Sequence, residues 1–335
     1  MQKERVFGLD FIRAISVIII VFYHFSTTLI GYKITSPLSK TWSYANGDIS
    51  TIGISLFFII SGAALMTTYN KKYSMKKYLS KRFLSIYPMF WMAYIIAFLI
   101  LFYINKTIAH LPNINFLWTV IGMDGYMLYR IPTYYILGEW FLGCIILLYL
   151  LFPILMFFMN KQPTILFIAA GVLFIFFVET YGFKMPIIRN FIARIPEFLM
   201  GMYFIKYIKS VKFYQFLIAS VVIMLLIFVR IDIPGMYKVT IIGISAFFVL
   251  FYLAQHISNS KFRSVLNEIS KYSYAVFLTH HVIMMEIIRK FNGMALTAIE
   301  ALNLFIISCV VISIVSVYLL KISNHVTGRV RLLKS

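Results

Sequence analysis

Long apolar runs separated by short polar breaks fill the chain, and most runs are long enough to cross a hydrocarbon core roughly 30 Å thick at about 1.5 Å of helix rise per residue. The pattern predicts ten helical spans. They cover residues 9–30, 49–69, 83–104, 134–159, 164–180, 191–207, 213–230, 237–256, 271–290 and 298–320. The expected fold class is all-α, a polytopic transmembrane helical bundle in which residues 1–335 form a single membrane domain. The segment from Met1 to Gly8 leads into the first span without a small-residue cleavage site, so the first helix reads as retained. The longest break, residues 105–135, carries Pro112, Gly122, Asp124, Gly125 and Pro132, and a short interfacial or re-entrant helix is expected near residues 116–121.

Composition sharpens this reading. Hydrophobic residues make up 61% of the chain and charged ones 13%, about half the charged share of soluble domains, which excludes a soluble globular fold. The net charge of +20 would raise nucleic acid as a partner in a soluble protein. Here the basic residues fall in short loops beside spans, so the partners implied are membrane lipids and no nucleic acid. Lys and Arg are roughly twice as frequent on the side that holds the N-terminus, which places both termini in the cytoplasm of a multi-pass protein of the cell (cytoplasmic) membrane. Cys144 and Cys309 lie in apolar runs and form no disulfide framework.

An ionisable side chain inside the bilayer costs several kcal/mol, so the few present are the functional candidates. Arg13 and His24 are eleven residues apart, and eleven steps of about 100° return to within about 20° of the same helix face, with Asp10 one turn earlier. Along the axis the two are separated by about 16 Å. That is comparable to an extended pantetheine arm, so a phosphate-rich head could rest by Arg13, whose fork of donors suits it, while a thioester approaches His24. The alternative is that Arg13 snorkels to the cytoplasmic surface with Asp10 as partner and His24 is a hydrogen-bonded core residue. Lys71, Lys72, Lys76, Lys77, Lys81 and Arg82 form a basic cluster that suffices as an orientation signal, although Arg82, at the mouth of the third span, could close over an anion.

Glu139 follows Gly138 at the outer end of the fourth span and reads as an interface residue or a buried acid. Gly53, Ser55, Ser61 and Gly62 in the second span are small residues of the kind that let helices approach closely. Arg194 and Glu197 read as an internal ion pair three residues apart, with an architectural role. His280 and His281 are adjacent and point about 100° apart, so only one is expected to face a site, His280 by its setting. No His-Glu-x-x-His metal motif, Gly-rich phosphate loop or nucleophile elbow occurs, and no metal is expected.

Several segments together resemble the membrane acyltransferase-3 family of O-acyltransferases, over almost the whole chain. Leu9, Asp10, Phe11, Ile12, Arg13, Ala14 through Tyr23 and His24 are similar to the family's Leu-Asp-Gly-Leu-Arg-Ala opening and its Arg-x10-His spacing. Phe57, Phe58, Ser61 and Gly62 resemble its Phe-Phe-x-x-Ser-Gly element. The run from Lys81 and Arg82 to Pro88 resembles a basic motif whose usual second Arg is Ser85 here. Gly138, Glu139, Trp140 and Phe141 match further, as do Ser273, Tyr274 and His280, with Phe277 in place of the usual Tyr. The resemblance implies that His24 is the catalytic base or a transient acyl acceptor, with Glu139 as a second candidate catalytic residue. It implies too that Arg13 and Arg82 help bind an acyl-CoA on the cytoplasmic side, and Ser61 is a further candidate for binding it.

The expected function is transfer of an acetyl group from acetyl-CoA, a donor substrate and not a permanent cofactor, to a sugar hydroxyl of an envelope polysaccharide or lipid-linked precursor. A separate extracytoplasmic transfer protein is a further expected partner. The rival reading is a transporter of acyl groups or polysaccharide intermediates with no transferase chemistry of its own, in which Arg13, His24 and Glu139 would line a path.

Overall fold

A computed structural model describes residues 6–69, 73–107 and 110–332. Lys71 and Lys72 of the basic cluster, and residues 1–5 of the N-terminus, lie outside the described residues. The first half of the chain forms α1 (Phe7–Gly31), α2 (Ile49–Tyr69), α3 (Met75–Asn105), α4 (Phe116–Val120), α5 (Asp124–Met127) and α6 (Glu139–Lys161). The second half forms α7 (Pro163–Glu179), α8 (Ile195–Tyr203), α9 (Phe213–Phe228), α10 (Gly235–Gln255), α11 (Ser260–Ile288) and α12 (Ala298–Leu332). The one sheet among the described residues is a hairpin of β1 (Ser43–Tyr44) and β2 (Gly47–Asp48), with Ser43 opposite Asp48 and Tyr44 opposite Gly47.

The architecture is that of an all-α multi-pass membrane protein. Helices α1, α2, α3, α6, α10 and α12 are long and apolar enough to cross a bilayer, and α7 and α9 are apolar but shorter. The short helix expected in the 105–135 break is α4, preceded by a 3₁₀ turn over Asn113–Asn115 and followed by α5. The segment expected as a span over 191–207 is a contiguous helical run made of a 3₁₀ turn (Ile192–Arg194), the nine-residue α8 and a π turn (Phe204–Ile208). Pro196 in the first turn of α8 has no N–H with which to extend the helix backward.

By internal packing the chain forms two compact units. In the first (Met1–Tyr23, Trp42–Lys72 and Ile145–Lys271) α2 is central. Its Leu56, Ile59, Ile60 and Ala63 join Ile12 of α1 and Phe247 and Phe251 of α10 in one buried cluster. In lipid such packing is driven by close contact and polar pairing more than by expulsion of water, which favours small residues between helices. A Cβ on Gly62 would lie 2.0 Å from the Phe198 carbonyl oxygen, and one on Gly201 would lie 1.8 Å from that of Ile59. Only glycine permits α2 and α8 to touch backbone to backbone there.

Arg194 and Glu197 form the expected pair at 2.8 Å, with both side chains fully buried. Ser55 Oγ donates to Glu197 Oε1 (2.7 Å), and Arg194 Nε donates to the Ile188 carbonyl (2.8 Å). At the start of α2, the Asp48 carboxylate accepts from the Ser50 backbone N–H at 2.9 Å and so caps the helix.

The second unit (His24–Thr41, Tyr73–Cys144 and Tyr272–Ser335) is built on α3, the later part of α11 and α12, with α12 packed along α3. The Tyr274 hydroxyl donates to the Ile86 carbonyl at 3.1 Å and ties α11 to α3, while Thr279 and Ser316 hydroxyls meet at 3.3 Å between α11 and α12. Phe141 of α6 packs edge-on against Phe277 of α11 with ring centres 5.4 Å apart. Tyr87 and Trp91 of α3 donate to the Ile121 and Val120 carbonyls and satisfy the end of α4.

Candidate functional site

Three helices of the second unit bring four ionisable groups together. His24 comes from α1, His280 and His281 from α11, and Glu139 from the first position of α6. The His24 ring centre lies 5.1 Å from that of His280 and 5.1 Å from that of His281, whose own separation is 6.2 Å. His281 Nδ1 approaches Glu139 Oε1 to 3.0 Å, an ion-pair distance, although this oxygen has no contact with hydrogen-bond geometry. Glu139 is within electrostatic reach of all three imidazoles.

Local backbone aims the carboxylate. Gly138 and Glu139 both have positive φ, +94° and +44°, and for a side chain as large as Glu the left-handed region costs of order 1–3 kcal/mol. The neighbouring helix holds it there. A Cβ on Gly125 of α5 would lie 2.4 Å from the Glu139 carbonyl carbon and 2.7 Å from the Trp140 nitrogen, so α5 presses directly on this turn. The start of a helix is also where a carboxylate is favoured by the exposed N–H groups.

His280 is 1% exposed. Its Nδ1 lies 3.0 Å from the carbonyl oxygens of both Val276 and Phe277, one turn back on α11. A carbonyl can only accept, so Nδ1 carries the proton and, in the neutral ring, Nε2 carries the lone pair. Nε2 is buried and has no hydrogen-bond partner among the described residues. Such an orphaned group costs about 1–3 kcal/mol.

The site residues expected from sequence divide between the units. His24, Glu139 and Arg82 belong to the second, and Arg13 and Ser61 to the first. Arg13 Nη1 contacts Asp10 Oδ1 at 3.4 Å and Ser270 Oγ at 3.4 Å, while Ser270 donates to Asp10 at 2.6 Å. Its side chain remains 26% exposed. Ser61 is half-buried on α2.

Two expectations are corrected. Arg82 does not stand at the mouth of its helix: α3 begins at Met75, so Arg82 lies about two turns inside it. Lysine and arginine are good helix formers, and the helix continues through the basic segment with Tyr78 fully buried. Likewise both His280 and His281 face His24, where one was expected. Side chains diverging by about 100° can still both reach one ring: the centres of His24, His280 and His281 form a triangle of 5.1, 5.1 and 6.2 Å.

The sequence did not single out Asp124 as a buried acid. It is 1% exposed, accepts a hydrogen bond from Thr119 Oγ1 at 3.0 Å, and leaves Oδ2 without a partner among the described residues. Burial in this loop, outside the spans, pushes its carboxyl up to about 6. An open cavity of about 410 Å³ lies beside the C-terminal half of α3, walled by Tyr94, Ile95, Phe98, Asn113, Phe116 and Tyr134. None of the four clustered ionisable groups lines it. Among the described residues no three His, Cys, Asp or Glu side chains are placed to hold a metal ion.

Imidazoles beside a fixed carboxylate can accept, hold and pass protons, and one of them can attack an activated carbonyl. The chain matches the family model described as an acyltransferase domain over residues 6–321, nearly its whole length. No curated protein and no solved structure matches it. A match of that extent, over a helical membrane scaffold that gathers His24, Glu139, His280 and His281, places the chain in the acyltransferase-3 family.

Proposed function

We propose that this membrane acyltransferase moves an acetyl group from acetyl-CoA to a sugar hydroxyl of a cell-envelope polysaccharide or lipid-linked precursor. The observation that carries the reading is the gathering of three imidazoles and one carboxylate from α1, α6 and α11. His24, with its ring centre 5.1 Å from each of the other two, is the catalytic base or the transient acyl acceptor, and Glu139 orients His281 beside it. Arg82 is assigned to the CoA phosphates for its permanent charge and forked donors. Arg13 and Ser61 carry the same assignment separately, on the likeness of their motifs to the family's. The protein sits in the cytoplasmic membrane with ten crossings and both termini in the cytoplasm, the orientation its basic loops favour.

The test is transfer of label from radioactive acetyl-CoA to envelope glycan by the purified protein in liposomes. His24→Ala is expected to lower the rate at least about 100-fold, and undiminished transfer would sink the assignment. Arg82→Ala and Arg13→Ala are each expected to weaken CoA binding about tenfold, the loss of a charged hydrogen bond, with a shallower salt dependence. Unchanged affinity in both removes the phosphate role.

A further inference from the structure

His280 differs from its two neighbours in the cluster. Its Nδ1 is committed to the Val276 and Phe277 carbonyls, which fixes the tautomer, and its Nε2 is buried without any donor to meet it among the described residues. Buried polar atoms in folded proteins almost always have partners, and an exception calls for an explanation, a catalytic role among them. A lone pair on imidazole is a proton acceptor, and a substrate O–H is a donor it can take. His24 is the adjacent ring, at 5.1 Å.

Resting on the acyltransferase reading above, we propose that His280 Nε2 is the base that receives the acceptor's hydroxyl proton, while His24 carries the acyl group. In the first half-reaction a His24 ring nitrogen attacks the thioester carbonyl, the C–S bond breaks, and the departing thiolate takes the proton from the other His24 nitrogen, giving CoA and an N-acyl imidazole. In the second, the acceptor oxygen attacks the acyl carbon as its proton moves to His280 Nε2. The C–N bond breaks, and the His24 nitrogen released recovers that proton from His280. The sum is thioester plus alcohol giving ester plus thiol, with both imidazoles neutral again and His24 returned to its starting tautomer by proton exchange with water.

The two halves can be read separately. With acetyl-CoA, radiolabelled CoA and no acceptor, label entering acetyl-CoA reports the first half alone; with envelope glycan from cells deleted for this protein, label in the glycan reports both. His280→Asn retains an amide donor near the Nδ1 position for the Val276 carbonyl and removes Nε2. His280→Gln puts an amide near the Nε2 position that can accept a hydrogen bond but cannot hold a proton. Both variants are expected to keep exchange within about threefold of the unmodified protein and to lose glycan transfer at least about 100-fold. Transfer within tenfold of the unmodified protein in His280→Asn overturns the proposal, as does an equal loss of exchange and transfer in both variants, or no exchange by the unmodified protein. Failure of the broader reading looks different: His24→Ala then keeps both exchange and transfer.

Discussion

Asp124 offers a direct test of how burial in the segment between α3 and α6 is balanced. Folded, its carboxyl is raised from 3.8 to about 6 because the charged form is desolvated while Thr119 supplies one hydrogen bond against that effect. The folded chain therefore binds this proton more tightly than the unfolded chain. Its contribution to stability is fully present below the unfolded value of 3.8 and is lost as pH rises through about 6. At about 1.4 kcal/mol per unit, the loss above that range is about 3 kcal/mol. Asp124→Asn keeps an oxygen for Thr119 and stays neutral at every pH. The variant should match the unmodified protein at pH 4 and melt at clearly higher temperature at pH 8, with the gap opening between pH 4 and 6. Cys144 is fully buried, so a thiol-reactive dye in detergent micelles reports unfolding, each pH being compared between variants. A gap of equal size at pH 4 and pH 8, or none at either, refutes the reasoning.

Glu197→Gln strands the buried Arg194 guanidinium and should cost about 3–5 kcal/mol in the same assay, while replacing both residues with apolar ones recovers most of the loss. Gly201→Ala drives a Cβ to 1.8 Å from the Ile59 carbonyl oxygen and should abolish the monodisperse peak on size exclusion. Gly171→Ala on α7, where a Cβ meets nothing within 4 Å, is the matched control and should leave the profile unchanged.

The helices were legible because lipid imposes a length and forbids unpaired backbone, so an apolar run of span length has few alternatives to a helix. Where the structure departs from the sequence reading, a local rule had acted on a residue that periodicity does not weigh. Pro196, which lacks an N–H, stands where the run over 192–208 passes from a 3₁₀ turn into α8. The Lys76 to Arg82 segment, taken as a loop for its charge, is helical because lysine and arginine favour helix. Asp124 escaped notice because its burial depends on Thr119, five residues earlier, folding back over it in a segment that reads as polar loop.

The site shows the same division between what a sequence can rank and what only packing decides. His24 and Glu139 stand out along the chain because ionisable groups near or inside a bilayer are rare and expensive. Their association requires knowing that α6 begins at Glu139 in a left-handed turn, that Gly125 lets α5 lie directly against that turn, and that α11 lies beside the end of α1. Helical geometry gave the correct divergence of His280 and His281 and the wrong conclusion, because it treated the site as a point. A ring has width, and three rings can meet in a triangle even when two of them diverge from one helix. The tandem pair on α11 is then not a redundancy: one ring is tied to an acid and the other to its own helix backbone, so the two have different chemistry to offer the His24 imidazole.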